Sequence, residues 1–161
     1  MGQTALFPGT FDPLTLGHEQ LIKRLSVLFD HVVVLVANNT GKKPFLSPSI
    51  RVEAITKALA AIPNVSVSQF EGLLVDFIAA RNDGVVVVRG VRSVNDYLYE
   101  HDRAMMNQAM SPGTETLFLP AAPQYSSLSS TLVREILWLK GDVSRFVSPV
   151  IKQYLEHYHG A

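Results

Sequence analysis

The sequence predicts an α/β fold in which one parallel sheet of five strands is flanked by helices. Apolar runs rich in β-forming residues alternate along the chain with segments of helical period, which is the pattern of βαβ units. Two of these runs, residues 32–36 and 85–88, are continuously apolar, as is typical of parallel strands covered on both faces. We therefore expect these two strands to be central in the sheet.

Caps and turns divide the chain into the predicted elements. The five strands are expected at residues 4–7, 31–37, 65–70, 84–88 and 116–119. The six helices are expected at residues 18–28, 49–61, 73–81, 94–110, 131–139 and 148–159. Ser47-Pro48 is typical of an N-cap followed by proline at the first helical position. Because no repeat or linker interrupts this order, we predict one domain over residues 1–161, with the C-terminal helix packed on the sheet edge or on a neighbouring subunit.

The composition excludes several kinds of partner and site. The chain of 161 residues has 14 basic and 14 acidic side chains, and its net charge of zero argues against a general affinity for nucleic acid or anionic lipid. It has no cysteine, which excludes disulfides, iron–sulfur clusters, thiolate zinc sites and cysteine nucleophiles. Residues 1–7 lack the basic and long apolar regions of a signal peptide, so we expect a cytoplasmic protein that does not contact membranes.

The loop after the first predicted strand carries the strongest chemical signal. In an open parallel sheet, ligands collect beyond the carboxyl ends of the strands. Residues 8–18 there read Pro-Gly-Thr-Phe-Asp-Pro-Leu-Thr-Leu-Gly-His. Gly9 lets the backbone approach a ligand, and the imidazole of His18 stands at a helix start, where N–H groups and the helix dipole favour an anion. The chain has neither a Walker A sequence nor G-x-G-x-x-G, so a different phosphate cradle is needed.

Three more segments at the same edge of the sheet carry groups suited to phosphates. Lys42-Lys43 follows the second strand and puts cations at the mouth of the site. The fourth strand leads into Arg89-Gly90-Val91-Arg92, in which two guanidiniums stand three residues apart. After the fifth strand, residues 125–131 read Tyr-Ser-Ser-Leu-Ser-Ser-Thr at a helix start, where hydroxyls and free backbone N–H groups can bind phosphate oxygens.

These motifs together resemble a known family. Gly-Thr-Phe-Asp-Pro followed by Thr-x-Gly-His, on the first strand–helix junction, resembles the signature of the nucleotidylyltransferase superfamily, and Leu128 begins a Leu-Ser-Ser-Thr-x-x-Arg run that resembles its second element. With the basic segments in the right order, nearly the whole chain is similar to the phosphopantetheine adenylyltransferases of bacterial type. The chain departs from that family at Phe7, where tyrosine is frequent, and at Leu98, within a run that is commonly acidic-aromatic-acidic.

The resemblance implies a Rossmann-like nucleotidylyltransferase domain and a reaction. A phosphate of 4′-phosphopantetheine attacks the α-phosphorus of ATP, giving dephospho-coenzyme A and pyrophosphate in coenzyme A biosynthesis. Because a phosphate nucleophile is already anionic at neutral pH, catalysis reduces to positioning and charge stabilisation. The implied catalytic residues are His18, Lys42 and Arg92. The implied ATP site comprises Thr10, Phe11, His18, Gly90, Val91, Arg92, Glu100, Tyr125, Ser126, Ser127, Leu128, Ser129, Ser130 and Thr131. The implied acceptor site comprises Thr10, Lys42, Leu74 and Arg89.

The same resemblance implies a cofactor and partners. Mg²⁺ is expected as a cofactor held by substrate phosphates and water, with no protein side chain as a metal ligand. A homohexamer and feedback inhibition by coenzyme A are expected from the family as well.

Two alternative functions remain open at the level of sequence. A related adenylyl- or cytidylyltransferase with another phosphorylated acceptor, such as nicotinamide mononucleotide or glycerol 3-phosphate, is expected to share His18 and the serine segment, but not to combine Lys42 with the segment from Arg89 to Glu100. A non-catalytic nucleotide-binding module is expected to bind ATP without releasing pyrophosphate and has no need of His18.

Overall fold

One parallel sheet organises the chain, as shown by a computed structural model that describes residues 3–38, 44–81 and 84–159. The strands are β1 (Thr4–Gly9), β2 (His31–Ala37), β3 (Val65–Phe70), β4 (Val85–Val91) and β5 (Thr116–Pro120). The helices are α1 (Leu16–Leu28), α2 (Pro48–Ala58), α3 (Leu74–Ala79), α4 (Val94–Met110), α5 (Ser130–Trp138) and α6 (Pro149–His159). The predicted α/β class with a five-stranded parallel sheet is confirmed.

The strand order is β3-β2-β1-β4-β5, so β1 is the middle strand. The two strands predicted to be central, β2 and β4, flank it, and each is paired on both sides. The pairing of β1 with β4 covers only Thr4–Leu6 and Val85–Val87, although both strands continue further. A crevice therefore opens between their carboxyl ends, at the point where the order of the strands reverses and where open α/β sheets bind ligands.

The two faces of the sheet differ in how they are covered. On one face, β1 and β2 present alternate residues such as Ala5 and Val34 to a main core formed with α1, α2, α5 and α6. On the other face, Leu35 and Val87 pack against Leu74 of α3 in a smaller cluster. Helix α4 buries little of its surface within the chain, since Ala104 is the only buried residue of its 17.

Several elements begin or end at residues other than those predicted. Helix α1 begins at Leu16 because Thr15 is its N-cap, with a side-chain oxygen that accepts from the backbone N–H of His18 at 3.4 Å. Strand β4 extends to Val91 because its pairing with β5 continues as far as Val91 and Pro120. Helix α3 is shorter than the predicted 73–81, because it begins at Leu74 and ends at Ala79.

The C-terminal helix packs against α2 of the same chain, and its predicted placement on the sheet edge or on a neighbouring subunit stays a prediction. Ile151 and Leu155 of α6 belong to the main core, and the Tyr154 hydroxyl donates to the Glu53 carboxylate of α2 at 2.7 Å. Its apolar face is thus covered by the helical layer of the same chain. Among the described residues, no helix has the length and apolar character needed to cross a membrane.

Candidate active site

A cleft of about 700 Å³ lies at the carboxyl ends of the strands, where β1 and β4 separate. It receives residues that follow or end each of the five strands, from Thr10 after β1 to Tyr125 after β5. The predicted site residues that line it are Thr10, Phe11, His18, Leu74, Arg89, Gly90, Arg92, Glu100, Tyr125, Leu128, Ser129, Ser130 and Thr131. Residues far apart in the chain therefore converge on one space.

His18 lines the cleft as a neutral hydrogen-bond donor. It is the third residue of α1, and its Nδ1 accepts the backbone N–H of Thr15 at 3.1 Å, which completes a reciprocal capping arrangement. Burial, with the nearby Arg92 guanidinium as a second cause, lowers the pKa of His18 to about 4. Since Nδ1 is an acceptor, the neutral ring carries its proton on Nε2. The imidazole thus has one N–H left to donate, fixed in direction by the start of the helix.

The Phe11 ring packs against Gly9, which itself lines the cleft. A Cβ on Gly9 would lie 2.8 Å from the Phe11 ring, so only glycine permits this close approach. Phe11 has a positive φ of 49°, and its ring meets the His18 ring edge-on with centroids 5.1 Å apart. Gly9 therefore serves the packing of the aromatic ring that supports His18.

Arg89 bridges the crevice between β4 and β1. Its Nη1 donates to the Pro8 carbonyl at 2.9 Å, and its Nε lies 3.3 Å from the Glu100 carboxylate. Burial lowers the pKa of Arg89, and the neighbouring Glu100 opposes that effect; a guanidinium nevertheless stays charged in proteins. Glu100, predicted to contact ATP, thus holds the arginine predicted to contact the acceptor.

Arg92 links the start of α4 to the serine segment. Its Nε and Nη2 bind the two carboxylate oxygens of Asp96 at 3.1 and 3.2 Å, a bidentate pair. Its Nη1 donates to the Leu128 carbonyl at 3.1 Å. The same guanidinium is close enough to lower the pKa of His18. Arg92 is therefore held between Asp96 of α4 and the Leu128 carbonyl.

The serine segment, residues 125–131, leads into α5, and the Ser129 and Ser130 hydroxyls make hydrogen bonds within the chain. Ser129 is the N-cap of α5 and accepts the Leu132 N–H at 3.1 Å, and the Ser130 hydroxyl donates to the Pro13 carbonyl at 2.7 Å. The latter bond ties α5 to the loop after β1. Since α1 and α5 both begin at the cleft, it is bordered by two helix N-termini, whose partial positive charge favours anions.

Four predicted residues do not line the described cleft. Lys42 lies outside the described residues. Val91 ends β4, where its carbonyl accepts the Ala121 N–H at 2.8 Å. Ser126 is exposed and donates to the Pro123 carbonyl at 2.8 Å, and Ser127 is exposed beside it. The roles expected for these four residues stay predictions.

On the α4 wall of the cleft, the sequence predicts Glu100 but misses the other lining residues. Helix α4 contributes Asp96, Tyr99, Asp102, Arg103, Met106 and Asn107. Their spacing of three or four residues is typical of one helix face and is visible in the sequence. Met106 is 62% exposed and lines the cleft. Leu73 was missed as well, although it precedes α3 and also lines the cleft.

The described side chains do not form a magnesium site of their own. Within residues 3–38, 44–81 and 84–159, no group of three or more histidine or carboxylate side chains could hold a metal ion. The cleft carboxylates Asp96 and Glu100 are paired with arginines. A Mg²⁺ ion held by substrate phosphates and water is compatible with this donor set.

Comparison with known proteins identifies the family. The family model described as cytidylyltransferase-like matches residues 6–136. A phosphopantetheine adenylyltransferase of Acidovorax sp. (strain JS42) is 52% identical over 97% of this chain and 94% of its own. One of Bordetella petrii is 50% identical over 95% of this chain and 89% of its own.

A solved structure shows the same fold in a more distant protein. A candidate nicotinate-nucleotide adenylyltransferase from Vibrio parahaemolyticus superposes with a TM-score of 0.68, covering 98% of this chain and 93% of its own at 20% identity. Such low identity bears on the fold alone. The family model and the relatives at 50–52% sequence identity show the family. The chain belongs to the cytidylyltransferase-like family and, within it, to the phosphopantetheine adenylyltransferases.

Proposed function

We propose that this chain transfers the adenylyl group of ATP to 4′-phosphopantetheine in coenzyme A biosynthesis. A phosphate oxygen of the acceptor bonds to the α-phosphorus, the bond to pyrophosphate breaks, and dephospho-coenzyme A and pyrophosphate leave. The relatives named phosphopantetheine adenylyltransferase, which align over nearly the whole chain, carry this proposal. The cleft supports it, because its two helix N-termini and its arginines suit a ligand with several phosphates.

The polar side chains of the proposed site bind and orient phosphate groups in the proposed reaction. His18 donates its Nε2 proton in a hydrogen bond to the α-phosphate, where negative charge shifts in the transition state. Thr10 and Lys42 orient the attacking phosphate, with Arg89 on the acceptor side and Arg92 on the ATP side. No general base is needed, because the attacking phosphate is already anionic. The direction of His18, set by its bond to the Thr15 N–H, supports its role.

The carboxylates beside the two arginines act as internal counter-ions in this proposal. Glu100 pairs with Arg89 and Asp96 pairs with Arg92 at 3.1–3.3 Å. They keep each guanidinium oriented toward the cleft, so that phosphate oxygens meet side chains that have already lost part of their rotational freedom.

The proposal includes a cofactor and partners beyond the two substrates. Mg²⁺ would be held by the ATP phosphates and by water, and would supply positive charge to neutralise the leaving pyrophosphate. Coenzyme A inhibits by competition, because it contains both the pantetheine arm and an adenylyl group. The chain forms a homohexamer, a proposal supported by exposed apolar side chains on α4 and β5, among them Leu98, Met110 and Leu117.

Pyrophosphate release from Mg-ATP with a panel of acceptors tests the proposed function. We expect turnover with 4′-phosphopantetheine and none with pantetheine, which lacks the attacking phosphate. Nicotinamide mononucleotide and glycerol 3-phosphate serve as the competing acceptors. Equal or faster turnover with either would assign the chain another acceptor, and release of no pyrophosphate with any of them would favour a binding module.

A further inference from the structure

A buried arginine outside the predicted site donates to backbone groups that build the site. Arg51 of α2 is 2% exposed, the most deeply buried charged side chain in the described part of the chain. Burying a guanidinium costs several kcal/mol unless hydrogen bonds compensate for the lost water. The partners of Arg51 therefore show where that compensation comes from.

Arg51 joins three separate stretches of backbone. Its Nε donates to the Leu46 carbonyl at 3.0 Å. Its Nη1 donates to the carbonyl of Thr10 and, at 3.1 Å, to that of Ala37. Thr10 and Ala37 both line the cleft, after β1 and at the end of β2. One planar group thus sets the distance between these two edges of the cleft and the segment that leads into α2.

Asp12 completes the arrangement from the loop after β1. It is 4% exposed, and its two carboxylate oxygens accept the N–H groups of Phe45 at 2.7 Å and Leu46 at 2.9 Å. Burial lowers the pKa of Arg51, and the negative charge of Asp12 opposes that effect. Leu46 is consequently held at its N–H by Asp12 and at its carbonyl by Arg51.

We propose that Arg51 and Asp12 are positioning residues that hold Thr10 in register with the end of β2 and with residues 44–46. The inference rests on the proposed function, in which Thr10 orients the acceptor phosphate. Apolar side chains of similar volume fill buried positions at less cost in desolvation, so core packing alone does not require this charged pair. The guanidinium and the carboxylate supply directed bonds to backbone groups, which apolar side chains lack.

Two substitutions at Arg51 separate directed bonding from charge and from packing. Arg51→Lys keeps the cation but loses the planar fork, and Arg51→Met keeps most of the apolar stem. Ile55→Ala is the matched control, because Ile55 is a buried residue of the same helix that faces the main core and lies outside the cleft. For each variant we would measure the thermal midpoint, kcat, and KM separately for 4′-phosphopantetheine and for Mg-ATP.

We expect Arg51→Lys to lower kcat/KM for the acceptor by roughly 10–100-fold, the scale of a misplacement near 1 Å, with a larger loss in Arg51→Met. The KM for Mg-ATP should change little in both. Ile55→Ala should lower the thermal midpoint without this acceptor-specific loss. Unchanged acceptor kinetics in folded Arg51→Lys, or the same selective loss in Ile55→Ala, would overturn the inference.

Further measurements test the inference if the Arg51 variants do not fold, and distinguish its failure from a failure of the proposed function. Asp12→Asn, nearly isosteric, should show the same acceptor-specific loss. We call the arrangement of Arg51 and Asp12 with the backbone of residues 44–46 the clamp. In the unmodified protein, the amides of Phe45 and Leu46 should exchange slowly with solvent deuterium, and exchange at the rate of a free peptide would contradict the clamp. If the unmodified protein fails to use 4′-phosphopantetheine, the proposed function falls, and the acceptor role of the clamp with it. If the unmodified protein uses 4′-phosphopantetheine normally and the Arg51 and Asp12 variants show unchanged acceptor kinetics, the positioning role is refuted while the proposed function stands.

Discussion

At the scale of single residues, the local environment of His18 decides what the side chain can do. An ordinary imidazole changes charge near pH 6.5 and can exchange either ring proton. Here the Thr15 N–H occupies Nδ1, and burial with Arg92 lowers the pKa of His18 to about 4. At neutral pH the ring is thus a donor of fixed direction rather than a cation or a proton shuttle.

Removing this donor should slow the reaction far more than it weakens ATP binding. His18→Ala is expected to lose on the order of 10²–10³ in kcat, because one preorganised donor to developing charge contributes about 2.7–4 kcal/mol. Titration calorimetry should show ATP binding retained. Ser144→Ala is the control, since it removes an exposed hydroxyl outside the cleft and should leave kcat unchanged. A folded His18→Ala enzyme with a near-normal rate would remove His18 from the mechanism.

The protonation state of His18 can be read without turnover. The lowered pKa means that the imidazole is neutral above about pH 5 and gains its proton only as the pH falls toward 4. Nitrogen chemical shifts of the His18 ring should accordingly report the Nε2–H form and stay constant from about pH 5.5 to 8. The His18→Asn spectrum assigns the signal. An inflection near pH 6.5 would contradict the buried, neutral ring.

At the scale of elements, the register of the short helix α3 separates two adjacent leucines. Leu74 is 8% exposed and packs against Leu35 and Val87 in the smaller core cluster, while Leu73, just before the helix, is 52% exposed. Both line the cleft. Sequence favoured Leu74 for the acceptor, but the more accessible apolar surface belongs to Leu73.

Charge introduced at Leu73 should therefore weaken the acceptor selectively. Leu73→Asp is expected to cost ~1–3 kcal/mol in 4′-phosphopantetheine binding, the scale of one lost apolar contact beside an unpaired charge, with ATP affinity little changed. Leu74→Asp is less informative, because a carboxylate in the core cluster would destabilise the fold itself. Leu139→Asp, at an exposed position outside the cleft, is the control for added charge. Equal acceptor affinity in Leu73→Asp and the unmodified chain would exclude Leu73 from the arm site.

Sequence predicts the elements well where the signal is local and poorly where it depends on a distant partner. The apolar runs and the Ser47-Pro48 cap mark their strand and helix without help from the rest of the chain. Arg51, by contrast, reads like any arginine on a helix, since the three carbonyls it binds come from other segments. The pairing of Arg89 with Glu100 was likewise invisible, because it depends on how β4 and α4 meet.

At the scale of the whole molecule, apolar surface remains uncovered on α4 and β5. Tyr97, Leu98, Met105, Met110 and Leu117 are each at least 40% exposed. Large exposed apolar patches are typical of interfaces between subunits. An exposed apolar surface of this type supports the homohexamer we propose. The sequence alone could not locate this surface, because the exposure of each side chain depends on the final packing.

The assembly should be sensitive to charge on this surface. Native mass spectrometry of the unmodified protein is expected to show six chains, and Leu117→Arg, on the edge strand β5, is expected to shift the population to smaller species. Val27→Arg, an equally polar change at an exposed position of α1, should leave the mass unchanged. A monomer in the unmodified protein, or equal effects of both substitutions, would contradict the proposed surface.

In the assembly we propose, the small buried area of α4 within its own chain would link enzyme concentration to activity. Within its own chain the helix buries only Ala104, yet it supplies Tyr99, Arg103 and Met106 to one wall of the cleft. If neighbouring chains cover its outer face, that wall is fully ordered only in the assembled protein. Specific activity should then fall when the enzyme is diluted below its association range, and should return with a lag when it is concentrated again.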